Sequence, residues 1–186
     1  MVSYSGFFTV NETANSNLFF WFFPAENGNF SAPIILWLQG GPGSSSMYGL
    51  LKEHGPFIAD VDKNGRPFVR HNPYRWSANH SVLYVDNPVG TGFSFTDDPE
   101  AYPKIVEEST DDLYDMLQQF FQLFPEYKEN EFFPFGESYA GKYVPTLAFK
   151  IHNENIASIN RTSKHENWVK INLGNARQKQ QDRNNV

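Results

Sequence analysis

Ser138 stands in the stretch Gly136-Glu137-Ser138-Tyr139-Ala140-Gly141, which has the G-x-S-x-G character of a nucleophile elbow. Phe132-Phe133-Pro134-Phe135 precedes it, and the apolar spacing Val144, Leu147, Ala148, Ile151, which suits a helix, follows. Strand, tight turn and helix is the context such a serine requires. Acyl transfer needs the hydroxyl lifted out at the carboxyl end of a strand, in a strained backbone conformation. The glycines fit that need, because side chains two positions either side would collide in so sharp a turn. A helix starting just after Ser138 also aims backbone N–H groups at the negative charge that develops on the attacked carbonyl.

A second stretch supplies what the first lacks. Pro33-Ile34-Ile35-Leu36-Trp37-Leu38 is a short continuous apolar run, the pattern of a strand covered on both faces, and it opens into Gln39-Gly40-Gly41-Pro42-Gly43-Ser44-Ser45-Ser46. Glycine leaves the amides of such a loop unshielded, so an acyl oxygen can approach them. Gly41 is then the candidate first donor of an oxyanion hole, and the amide of Tyr139, the residue after the nucleophile, is the second. A phosphate-binding loop is excluded: there is no Gly-Lys-Ser/Thr ending and no G-x-G-x-x-G. A third glycine-rich loop, Asp86-Asn87-Pro88-Val89-Gly90-Thr91-Gly92-Phe93-Ser94, follows the buried-strand candidate Ser81–Val85, at another strand end of the kind where α/β sheets place their sites.

Other elements must hold these loops. Tyr4–Val10 and Leu18–Phe23 are aromatic and β-rich, separated by the turn-forming Asn11–Asn17, and predict an antiparallel pair at a sheet edge. Met47–His54 predicts a short helix ending at Gly55-Pro56, Phe57–Val61 a strand, and Asp62–Arg75 a region of turns marked by Asn64-Gly65 and Asn72-Pro73. Lys104–Phe124 is the clearest helix, with Leu113, Met116, Leu117, Phe120, Phe121 and Phe124 on one face. Its early acids Glu107, Glu108, Asp111 and Asp112 read as a solvated first turn that complements the helix dipole, and Pro125 stops it. Trp168–Leu173 predicts one more strand.

The 186 residues suffice for one domain, and 40% hydrophobic with 17% aromatic content indicates a globular chain. A net charge of −6 without basic clusters argues against nucleic acid or an anionic membrane surface as partner. No apolar run reaches the ~20 residues that span a bilayer. The first residues, MVSYSGFFTV, carry neither a basic region nor a hydrophobic core with a cleavage site, so no export signal is expected in the chain as written. With no cysteine there is no disulfide framework. Sequons at Asn11, Asn29, Asn79 and Asn160 are candidate N-glycosylation sites and hint at a secretory history.

Three stretches, Trp37–Gly43, Asp86–Phe95 and Gly136–Gly141 with Lys142-Tyr143-Val144-Pro145, together resemble the serine carboxypeptidases. Glu53-His54-Gly55-Pro56 and Phe121–Tyr127 bring the vitellogenic-like and insect venom branch nearest. The resemblance implies an α/β-hydrolase fold and removal of single residues from peptides with a free C-terminus. It also implies an acidic lysosomal or secreted setting and no cofactor or metal. By the same resemblance Ser138 is the nucleophile, Gly41 and Tyr139 are oxyanion donors, and Gln39, Gly40, Glu53 and Glu137 recognise the substrate's terminal carboxylate. The chemistry is coherent: a carboxylate can hydrogen-bond another only through a retained proton, and two glutamates held close share one. Such a grip weakens as pH rises.

Departures from the family pattern set further expectations. Gln39 stands where asparagine is commoner. Pro134 lies in the strand feeding the nucleophile, where it predicts local disruption or an altered register. The triad's acid and histidine follow the serine in chain order in this fold. The resemblance stops near Leu173, however, and neither His152 nor His165 sits in the family's histidine context, so both read as surface residues. The chain therefore reads as a truncated α/β-hydrolase domain over 1–173, the N-terminal part of the central mixed sheet with its flanking helices, followed by an unrelated polar tail over 174–186 expected to be disordered. A truncated or alternative transcript would give that pattern. Little turnover is expected of it alone, and a non-catalytic carboxylate-binding protein or another acyl-transfer enzyme, such as an esterase or acyltransferase, stays open beside the peptidase.

Overall fold

A computed structural model describes residues 1–160 and 170–173. The paired aromatic segments form an antiparallel hairpin, β1 (Tyr4–Asn11) and β2 (Ser16–Phe23). The apolar run becomes β3 (Ile34–Leu38), buried at every position because both of its faces are covered. A small outlying hairpin, β4 (Phe57–Val61) with β5 (Pro67–His71), precedes β6 (Ser81–Val85), which is buried throughout like β3. After helix α1 (Val106–Leu123) come β7 (Phe132–Gly136) and helix α2 (Ala140–Asn160).

The five-stranded sheet runs in the order β1-β2-β6-β3-β7. Its first two pairings are antiparallel, and β6-β3 and β3-β7 are parallel, so the sheet is mixed. Alternation along the strands divides the core between the two faces. Leu36, Leu38 and Leu83 meet Leu113, Met116, Leu117 and Phe120 of α1 and Leu147 and Ile151 of α2, whereas Ile35, Trp37, Val82 and Tyr84 pack with Met47 and Leu50 on the other face. Each such fully buried leucine or phenylalanine contributes about 1.5–3 kcal/mol over exposure, and the one directional fact that matters is that three strands end side by side.

Several expectations need correcting. The predicted helix over Met47–His54 forms from Met47 to Glu53, but its Gly49–Glu53 part is π-helical, closed by a bond from the His54 N–H to the Gly49 carbonyl at 3.1 Å. Strand β5 lies inside the region read as turns. All five of its residues are exposed, so it carries no buried alternation to reveal it. Asn64-Gly65 belongs to its connection with β4.

Pro134 disrupts nothing. The register Ile34↔Phe132 through Leu38↔Gly136 is unbroken. The Phe132 N–H donates away from β3, to the Asn172 carbonyl at 2.7 Å, while the Glu137 N–H donates to the β3 carbonyl of Leu38 at 3.3 Å. Backbone groups alternate sides, so the nitrogen of residue 134 points away from β3 like that of residue 132, and the β3–β7 ladder loses no donor.

On α1 the acids Glu107, Glu108 and Asp111 are exposed as expected. Asp112 is half-buried, and burial together with Asp111, Asp115 and Glu108 pushes its carboxyl up to about 6. Of the predicted strand Trp168–Leu173, Leu173 forms a single parallel bridge with Phe132, while Trp168 and Val169 lie outside the described residues. His165 and the tail 174–186 also lie outside them. No helix among the described residues is long and apolar enough to cross a membrane.

Candidate active site

The parallel register brings the chemistry together. Leu38 and Gly136 are partners at the ends of β3 and β7, so the glycine loop and the elbow leave the sheet as neighbours. Trp37 pairs with Tyr84 of β6, which sets the Asp86 loop on the other side of the glycine loop.

Ser138 adopts φ 57°, one of two non-glycine residues in the left-handed region among the described residues, and it is exposed. A β-carbon is disfavoured there by roughly 1–2 kcal/mol, a strain that the flanking strand and helix enforce. The tightness of the turn falls on Gly136, where an added Cβ would lie 2.5 Å from the Ala140 Cβ and 2.6 Å from the Leu38 carbonyl oxygen. Gly141 has open space around it. The colliding positions are therefore 136 and 140, and the motif is more accurately Gly-x-Ser-x-Ala, its second small residue being Ala140 rather than Gly141.

Gly40 presses against the elbow. A Cβ there would sit 2.7 Å from both the Glu137 carbonyl oxygen and the Tyr139 amide nitrogen, and 2.8 Å from the Ser138 Cβ. Next to it, Gly41 has φ 109°, and the amides of Gly41 and Tyr139 donate to no other described residue. The Ser138 hydroxyl likewise bonds to none. His152 is exposed on α2, twelve residues beyond Ala140 and so roughly 18 Å along the helix.

Beside the elbow lies a chain of polar contacts. The Trp37 indole N–H donates to Gln39 Oε1 at 3.0 Å, and Gln39 Nε2 donates to Glu137 Oε2 at 3.4 Å. Glu137 in turn neighbours Glu53, which the π-turn delivers, closely enough to act on its carboxyl. Burial first, and then Glu137, push the Glu53 carboxyl up to about 7. Gln39 and Glu53, distant in sequence, thus both reach Glu137, and Gly40 abuts residues 137–139 beside Ser138. A cleft of about 740 Å³ lined by Tyr4, Pro24, Phe30, Phe57 and Tyr127 lies elsewhere and includes none of them.

The roles of two residues escaped the sequence reading. Asp86 is fully buried, and its Oδ1 accepts from the Ser45 hydroxyl at 2.7 Å and the Ser46 N–H at 2.8 Å, while Oδ2 accepts from the Phe93 N–H at 2.9 Å. Burial raises its carboxyl, and these donors only partly offset the rise. It ties the glycine loop to its own loop, and Ser46 adds bonds to the carbonyl of Val85 and from the N–H of Gln39. Its one sequence signal was an acid directly after a buried apolar strand. The second residue, His54, is stacked on Trp76 behind Glu53. Asn11, Asn29 and Asn79 of the sequons are exposed, whereas the side chain of Asn160 is outside the described residues. No group of acids and histidines among the described residues is arranged to hold a metal ion.

The serine carboxypeptidase family profile matches residues 1–186. Among curated proteins, the chain is 56% identical to the human probable serine carboxypeptidase CPVL over 155 residues, covering 83% of this chain and 32% of that protein. It is 51% identical to the venom serine carboxypeptidase of Apis mellifera (83% and 32% covered) and 50% identical to the vitellogenic carboxypeptidase of Aedes aegypti (81% and 31% covered). The chain therefore spans about a third of the length of these relatives. Among solved structures, Kex1(delta)p, a prohormone-processing carboxypeptidase from Saccharomyces cerevisiae, superposes with a TM-score of 0.72 at 33% identity, over 90% of this chain and 36% of the other. The mixed sheet with its flanking helices is the α/β-hydrolase fold of that enzyme. With all of its residues matched to that profile, the chain belongs to the serine carboxypeptidase family.

Proposed function

We propose that this chain carries the nucleophile and the carboxylate-recognition half of a serine carboxypeptidase, acting on peptides with a free C-terminus. The observation that carries the reading is the cluster beside Ser138 in which Gln39 donates to Glu137 at 3.4 Å and Glu137 raises the neighbouring Glu53 carboxyl. A proton held between two glutamates is a donor suited to a substrate's terminal carboxylate, with the Gln39 amide and the Gly40 backbone as its neighbours. The Ser138 oxygen attacks the last peptide carbonyl, and the oxyanion that forms is met by the free amides of Gly41 and Tyr139. Collapse expels the terminal amino acid and leaves an acyl ester on Ser138, which water hydrolyses.

The attack needs a base to take the serine proton. No histidine among the described residues bonds Ser138, and a serine without a histidine to take its proton turns over peptides slowly. The relatives' names and the exposed sequons Asn11, Asn29 and Asn79 support a glycosylated protein of a secreted or lysosomal setting. A blocked dipeptide, its C-terminal amide and a matching ester test the reading at about pH 5. Release of the terminal residue from the free acid alone supports a carboxypeptidase. Equal cleavage of an ester without a free carboxylate points to another acyl-transfer enzyme. The unpartnered Ser138 hydroxyl favours one second reading, a non-catalytic carboxylate binder. That reading predicts binding of the acid, no cleavage, and no labelling of Ser138 by a fluorophosphonate.

A further inference from the structure

His54 has no part in the chemistry above, yet it is placed as a group with a task. Its ring lies 3.8 Å from the Trp76 ring at 14° and meets the Trp37 ring edge-on at 4.2 Å. Nδ1 is 3.1 Å from the Tyr84 hydroxyl. Nε2 is buried without a hydrogen-bond partner, and it faces Glu53 Oε2 at 3.9 Å. A buried polar atom left unpaired is rare in a folded protein and calls for an explanation.

The tautomer is assigned from the partners, since a protonated phenol can donate to or accept from an imidazole nitrogen. Tyr84 is buried and its phenol is held well above its ordinary value, so it keeps its proton and has His54 Nδ1 as its hydrogen-bond partner. With the phenol donating to Nδ1, the imidazole proton sits on Nε2 and points at Glu53. Burial pulls His54 down to about 4 against the attraction of Glu137, so the ring is neutral wherever the glutamate pair titrates. Glu137 faces Glu53 from the elbow and Tyr84 faces it from β6, while Lys52 of the same turn is engaged by Asp60 at 3.6 Å.

We infer that His54 is a positioning residue for carboxylate recognition: its Nε2–H, aimed at Glu53 from within the Trp37–Trp76–Tyr84 box, sets the pH at which the Glu53–Glu137 pair gives up its shared proton. The N–H favours the ionised form of Glu53 and holds the pair's release point below where two stacked carboxyls alone would put it. The inference rests on the carboxylate reading for its meaning, but it is tested without substrate.

Carbon-13 NMR of the glutamate carboxyls in the ligand-free 186-residue chain follows the pair directly, and nitrogen-15 shifts of His54 report its tautomer. The wild-type ring carries its proton on Nε2. His54→Phe raises the Glu53 midpoint by roughly half a pH unit or more, and His54→Gln, which restores an N–H, returns it most of the way. A purely packing role gives a His54→Phe protein with an unmoved or lowered midpoint, and that result overturns the inference, as does a proton found on Nδ1. If His54→Phe fails to fold, the wild-type tautomer and the His54→Gln midpoint decide it. A wild-type chain that binds no peptide acid would defeat the functional reading while leaving these midpoints to be judged on their own.

Discussion

Replacing Glu53 by glutamine distinguishes a proton-dependent grip on a carboxylate from a merely polar one. Burial and Glu137 raise Glu53 from its ordinary 4.5 to about 7. Below that pH the pair holds one proton to donate; above it the donating form falls tenfold per unit, or about 1.4 kcal/mol. The affinity for an N-acylated dipeptide therefore drops by roughly 100-fold between about pH 5 and about pH 9, because the ligand's own carboxylate is ionised throughout. Glutamine offers an N–H at every pH, so the variant's affinity changes by less than about threefold over that range. It binds about fivefold more weakly than wild type at acid pH, having exchanged a short O–H···O⁻ bond for a longer N–H···O⁻ one. The same shift acts on stability with a determinate sign. A folded-state value above the unfolded one contributes stability that is complete below about pH 4.5 and lost as pH rises through about 7, so Glu53→Gln flattens the melting temperature across that window. Calorimetric titration at four pH values, with the dipeptide amide as control, reads the effect. Wild-type affinity that stays level to pH 9, or a variant that keeps the wild-type slope, refutes the reasoning.

Other perturbations act on the scaffold of the site. Gly40→Ala drives a Cβ to within 2.7 Å of the Glu137 carbonyl oxygen and the Tyr139 amide nitrogen; it costs about 1–3 kcal/mol, seen as a melting temperature several degrees lower, and weakens peptide binding. An unchanged melting temperature would mean the loop is not pressed on the elbow. Asp86→Asn turns an acceptor facing the Phe93 N–H into a donor, or else removes the acceptor used by Ser45 and Ser46. It destabilises the chain by about 1–3 kcal/mol in urea unfolding, and a neutral result would contradict the clamp. Ser138→Gly relieves the positive φ and raises stability by about 1 kcal/mol, while removing any reaction with a fluorophosphonate. A variant no more stable than wild type would show that the elbow stores no strain.

The fold's centre was legible in the sequence because its strands are covered on both faces. Ile34–Leu38 and Ser81–Val85 are unbroken apolar runs, and Leu113, Met116, Leu117 and Phe120 repeat at helical spacing. Strand β5 left no such trace, since an exposed strand has no buried face to alternate with. Pro134 misled because composition does not say which side of a strand a nitrogen faces; the partner at Asn172 does. The elbow's steric requirement was read onto Gly141 instead of Ala140, because a pattern of letters does not show which two residues meet across a turn. His54 and Asp86 depend on contacts with Trp37, Trp76 and Tyr84, and with Ser45, Ser46 and Phe93. Those contacts join distant segments and have no period along the chain.

A crystal structure of the chain with a slowly cleaved blocked dipeptide bound at about pH 5 would test the site as a whole. The terminal carboxylate should lie against Gln39, Glu53 and Glu137, with the scissile carbonyl oxygen about 2.7–3.1 Å from the amides of Gly41 and Tyr139. The Ser138 oxygen should stand about 3–3.5 Å from the carbonyl carbon. A peptide whose free C-terminus lies away from the glutamate pair, or whose carbonyl turns from those amides, would contradict the assignment.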